Sequence, residues 1–165
     1  MRKSRQGSPI ANHTHRRLPK LVPDVIEENK DSVLYEWFKN VSTNPELMRV
    51  ELSDTERRDH VPELLDEALA AARGQSIGDE RQTAAARHGT HRYQQGYSVP
   101  MLIWESRLLQ HAIADCVRRN LLLIDMTHLV SGLTKMWDTI AAELQESARA
   151  FVREEAARSM RRPKQ

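Results

Sequence analysis

The chain of 165 residues, 39% hydrophobic and 29% charged with six Gly and seven Pro, has the size and composition of one globular domain and not of a fibrous or wholly disordered chain. Its single cysteine, Cys116, excludes an intrachain disulfide and a thiolate metal cluster, which predicts a reducing, cytoplasmic setting. The net charge of +2 conceals a split: ten of the 25 Lys and Arg lie in residues 1–20 and 158–165, and the other 15 face all 23 Asp and Glu, leaving the body at −8.

Residues 1–17 are basic, polar and without apolar period, which predicts a disordered tail. His13 and His15 lie there with no third metal ligand in sight. From Leu18 onward Val22, Ile26, Val33, Trp37, Phe38 and Val41 recur at helical spacing, predicting one long helix that Asn44 and Pro45 end. Ser53 and Glu56 then have the spacing of a capping box and open a short helical turn. A further helix is expected from near Asp59, with Pro62 in its first turn, Val61, Leu64, Leu65 and Leu69 on one stripe, and Gly74 at its end. Asp79 can cap the next, which passes Ala84, Ala85, His88, Gly89 and Arg92 to about Gly96 and has an unusually small, polar inner face.

Ser98 is the expected cap of a helix with Pro100 in its first turn. Its apolar stripe of Met101, Leu102, Leu108, Leu109 and Ala112 takes in one carboxylate, Glu105. Residues 120–124 read as a bend. A last helix runs from about Asp125 to about Met160, with Leu129, Leu133, Met136, Trp137, Ile140, Leu144 and Phe151 on one stripe.

No strand alternation appears, so the expected fold is an all-α bundle of five to six helices with a long C-terminal helix, over residues 18–155. Residues 156–165 read as a basic tail or a linker to an output domain that the chain does not contain. No apolar run is long enough to span a membrane, and an acidic body lacks the basic stripe with which folded domains meet phosphates, so neither a membrane nor a nucleic acid is an expected partner. The last helix is about 50 Å long at roughly 35 residues, more than a domain of this size can cover. Its excess apolar surface predicts a homodimer along residues 126–155.

Glu105 carries the main chemical signal, because a carboxylate among apolar side chains needs a cation or donors. His88 and Arg92, four apart on one helical face, are the expected partners. Two readings stay open: the trio pins two helices in register, or it forms, with Trp37 and Tyr97, the floor of a ligand or signal pocket with a pH-sensitive histidine. A haem on His88, walled by Trp37 and Phe38, is a further alternative, although no haem-attachment motif accompanies it. His60 and His91 fall near polar positions and His111 and His128 stand isolated, so no metal site and no cofactor are expected. No nucleophile elbow or phosphate-cradling glycine loop is present, and Cys116 on an apolar face is an inert thiol, which together predict no enzymatic activity.

The segment AARHGTHRYQQGYSVPMLIWESRLLQHAI at 85–113 contains His88, Gly89, Arg92, Gly96, Tyr97 and Ser98, and then Glu105 seven residues after the serine. It resembles the N-terminal sensory domain of RsbR-type co-antagonists of the bacterial stress-response kinase, a domain also found ahead of some sensor histidine kinases. RRDHVPELLDEALAAAR at 57–73, the Trp37 helix and the long last helix follow the same order. The resemblance implies a globin-like bundle without haem that dimerises through its terminal helices and passes a signal to a C-terminal output domain or kinase partner. The chain ends at Gln165 with no phosphoanchor or kinase core, so an excised or free-standing sensor is expected. The rival from another class is a protein-interaction module with no ligand.

Overall fold

The protein is described from a computed structural model covering residues 18–75 and 80–161, the latter with side chains from Ala84 onward. The expected disorder of residues 1–17, the His13 and His15 pair and the Asp79 cap lie outside these residues. Seven α-helices follow one another: α1 Val22–Glu28, α2 Lys30–Val41, α3 Asp54–Arg58, α4 Val61–Ala72, α5 Glu80–Gln94, α6 Val99–Arg119 and α7 Leu129–Arg161. With the kinked pair α1 and α2 counted once they make six, and there is no strand among the described residues. The all-α class and the long last helix are therefore as the sequence predicts.

The first predicted helix divides at Asn29, which leaves helical geometry (φ −114°, ψ 15°) while its side-chain amide donates to the Val25 carbonyl at 2.8 Å. An asparagine that satisfies a carbonyl locally competes with the helix it sits in. α2 ends at Val41, short of the proline, and the Asn44 side chain instead accepts from the amides of Glu46 and Leu47 at 3.0 and 3.2 Å. The predicted capping box forms: Ser53 Oγ accepts from the Glu56 amide at 3.3 Å and the Glu56 carboxylate accepts from the Ser53 amide at 2.8 Å. Ser98 stands at the N-cap of α6 with extended backbone, but its hydroxyl makes no capping bond.

α7 begins four residues later than the periodicity suggests. The Asp125 amide is committed to the Lys20 carbonyl at 2.8 Å, and Asp125 Oδ1 accepts from the Thr127 amide at 2.9 Å. A two-residue bridge of Lys20 with Ile124 thus ties the start of the bundle to the α6–α7 connection. α7 passes residue 155 without a break and continues to Arg161.

The core is one cluster in which Ile26, Val33, Trp37, Leu65, Leu69, Ile113 and Met136 are fully buried. α5 and α7 make the most extensive pairing of the bundle, and the small face of α5 is the cause. Gly89 lies so close to α7 that a Cβ placed on it would stand 1.9 Å from the Ser147 carbonyl oxygen. Glycine inside a helix costs about 1 kcal/mol relative to alanine, and here it permits backbone contact between two helices. Cys116 is buried, and burial pushes its thiol up from the ordinary value of 9.0, as an inert cysteine requires.

Candidate functional site

α5 ends at Gln94, Gly96 follows it with φ +86°, a conformation that favours glycine, and the chain turns directly into α6. This short turn sets His88 and Arg92 of α5 against Glu105 of α6. All three are buried, at 6%, 0% and 3% exposure. Arg92 grips the carboxylate with both arms, Nε to Oε2 at 3.0 Å and Nη2 to Oε1 at 2.7 Å, the bidentate geometry that makes such pairs strong. Its remaining donors reach the Glu56 carbonyl at 2.8 Å, the Arg57 carbonyl at 2.8 Å and Gln95 Oε1 at 2.7 Å. All five N–H groups of a buried guanidinium are thereby satisfied.

His88 completes the carboxylate shell, with Nε2 3.2 Å from Glu105 Oε2. Burial alone would push the Glu105 carboxyl up, but the Arg92 guanidinium and His88 outweigh it and hold the group below its ordinary value of 4.5. The sign of the pH dependence follows. A carboxyl whose folded value is depressed contributes stability above its unfolded value, and that stability is lost as pH falls through the folded value. The thermal midpoint is therefore expected to decline on acidification below 4.5, and Glu105→Gln is expected to flatten that acid limb in a melting series.

Trp37 donates from Nε1 to the Glu105 backbone carbonyl at 3.2 Å, fixing α2 to the same point of α6. Trp37, His88 and Glu105 line a cavity of about 30 Å³ together with Leu102, Ile140, Leu144 and Ser147. Arg92 and Tyr97, the other residues expected in a pocket, do not line it. Tyr97 is buried beside the cluster with the Arg92 guanidinium 4.9 Å over its ring, and burial, then the Glu105 charge, pushes its hydroxyl up to about 12. Small-molecule pockets run to about 300–1,000 Å³, whereas a cavity needs only about 10–15 Å³ to hold a water. The space beside His88 suits a water or two and has no room for a haem.

Sequence reasoning missed two contributors, Arg57 and Ser147, and the purpose of a third, Gly89. Arg57 is buried and ties the Leu47 and Val50 carbonyls at 3.2 and 3.0 Å. Ser147 of α7 is buried and its hydroxyl donates to the Ala85 carbonyl of α5 at 2.8 Å. Gly89 makes that approach possible. Of the residues expected on the relay helix, Met136 and Ile140 are buried in their own bundle, while Leu129, Leu133, Trp137 and Leu144 are partly buried.

The model of the RsbT co-antagonist protein rsbRD N-terminal domain matches residues 32–165. The chain belongs to this family. The match spans α2 to the end of the chain and so takes in His88, Arg92 and Glu105, the residues on which the resemblance was read. The RsbRD N-terminal family is one of sensory, signalling domains. No curated protein and no solved structure matches the chain. No helix among the described residues is long and apolar enough to cross a membrane.

Proposed function

We propose that this RsbRD-type domain is a sensory domain without catalysis of its own, in which an event beside His88 displaces α7. A second copy of the chain and an output domain or signalling partner would read that displacement. The contact of Gly89 with the Ser147 backbone, sealed by the Ser147 hydroxyl on the Ala85 carbonyl, carries the reading. It leaves the helix bearing His88 no freedom to shift without moving α7. Packed elements of this kind respond by discrete shifts of about 1–2 Å rather than by continuous deformation. The cavity size favours a stimulus on the scale of a proton or water over an organic ligand.

The strip offered to a twin lies between α6 and α7, where Ile103, Trp137, Ala141 and Leu144 line an open groove and Ile103 is 51% exposed. An isologous pairing of these two helices with their copies would form a four-helix interface. Residues 18–155 would then be the sensor, with the last turns of α7 leading to the output. Size-exclusion with light scattering is expected to give a dimer, and Ile103→Glu a folded monomer. A wild-type monomer at all concentrations would leave the interaction module without a ligand as the better reading.

A further inference from the structure

At the joint between α3 and α4 the chain folds His60 back toward α5. Asp59, between the two helices, has φ +28° and ψ −121° and is the non-glycine residue with positive φ among the described residues. Strained backbone of this kind persists where surrounding structure holds it, and it concentrates at ligand clamps and functional sites. The strain presents Asp59 and His60 together to His91, which stands one turn along α5 from His88. His91 Nδ1 lies 3.1 Å from Asp59 Oδ2 and His60 Nε2 lies 3.5 Å from Asp59 Oδ1. The two rings stack with centroids 5.2 Å apart, and one ligand atom from each of the three residues falls within 4.8 Å of the others.

We propose that Asp59, His60 and His91 form a binding site for a divalent first-row transition metal of the Zn²⁺ class, completed by water. At Zn–N and Zn–O lengths of about 2.0–2.2 Å, tetrahedral ligands stand about 3.3–3.5 Å apart, and each imidazole lies near that distance from a different oxygen of the Asp59 carboxylate. Two imidazoles and one carboxylate are the donor set this class of ion takes. His60 Nε2 is buried and makes no hydrogen bond among the described residues, a state that costs free energy and that a metal would relieve. The other nitrogen of His60 faces Glu63 Oε2 at 3.6 Å, just beyond hydrogen-bond length and close to the carboxylate–histidine–metal arrangement that orients a ligating ring. The site differs from the His88 cluster: it joins the α3–α4 corner to the outer face of α5, where His91 is half exposed.

The full chain without an affinity tag should be titrated with Zn²⁺ by calorimetry and with Co²⁺ by visible absorption. One equivalent and the intense spectrum of four-coordinate cobalt are expected. His91→Ala, at an exposed position, and Asp59→Asn, which retains a residue tolerant of positive φ, should each weaken binding at least about tenfold while leaving the far-ultraviolet dichroism unchanged. His13→Ala/His15→Ala serves as the competing variant, because the tail carries its own histidine pair. Loss of the equivalent in that variant, or its full retention in His91→Ala, overturns the assignment, as does the absence of any cobalt spectrum.

Discussion

Arg92→Met is expected to destabilise the domain by about 3–5 kcal/mol, the range for removing one partner of a buried ion pair. The cost comes less from the lost attraction than from what is stranded. Glu105 would be left 3% exposed with His88 alone at its carboxylate, and the Glu56 and Arg57 carbonyls would lose their shared donor. Surface ion pairs such as Arg118 with Asp115 should by contrast contribute no more than about 1 kcal/mol. Arg92→Lys is not conservative here, because one ammonium cannot supply the five-donor fork. The double variant Arg92→Met/Glu105→Leu should recover part of the loss, since an apolar replacement of a buried pair is often neutral or better. Recovery should be incomplete while the two carbonyls stay unpaired. Urea unfolding of the single and double variants checks this. A cost for Arg92→Met below about 1 kcal/mol would fit an exposed pair and contradict the geometry described.

Gly89→Ala is expected to cost about 1–3 kcal/mol or more, as overpacking does, despite alanine being the better helix former by about 1 kcal/mol. The added methyl would meet the Ser147 carbonyl oxygen at 1.9 Å and its Cα at 2.8 Å. These are backbone atoms of a long helix and cannot swing aside as a flexible side chain can. Either α5 and α7 separate along their length or the Ser147 hydroxyl loses the Ala85 carbonyl. Denaturant melts give the stability, and amide exchange at the α5–α7 contact should rise with it. A neutral or stabilised Gly89→Ala would show that the two helices do not touch. The same substitution on an open helical face would gain stability instead, so the sign alone decides between the two situations.

The parts of this architecture that were legible in the sequence are those with local chemistry. Glu105 broke an otherwise apolar stripe, and a carboxylate in that place demands a cation close by in the fold; the structure supplies Arg92 and His88. Ser53 and Glu56 carried their helix start in four residues. What escaped depends on partners distant in the chain. Arg57, in the last turn of a five-residue helix, reads as a surface charge, and its burial depends on carbonyls at Leu47 and Val50. Ser147 falls on the apolar stripe of α7, three residues after Leu144 and four before Phe151, but nothing nearby announces that the Ala85 carbonyl lies opposite. The small inner face of α5 was visible as an anomaly, but its purpose appears only with α7 against it. His60 and His91 are 31 residues apart in sequence, and their meeting depends on the strained turn at Asp59.

The proposed coupling of the His88 cluster to α7 is most directly tested by the distance between spin labels placed at Glu155, on the exposed distal part of α7, in the two copies of the proposed dimer. His88→Gln alters the cluster at its cavity side and leaves the Arg92–Glu105 pair in place. A defined distance in the wild type that shifts by about 1–2 Å or more in the folded His88→Gln dimer is the predicted result. Identical distance distributions in two folded dimers would contradict the relay.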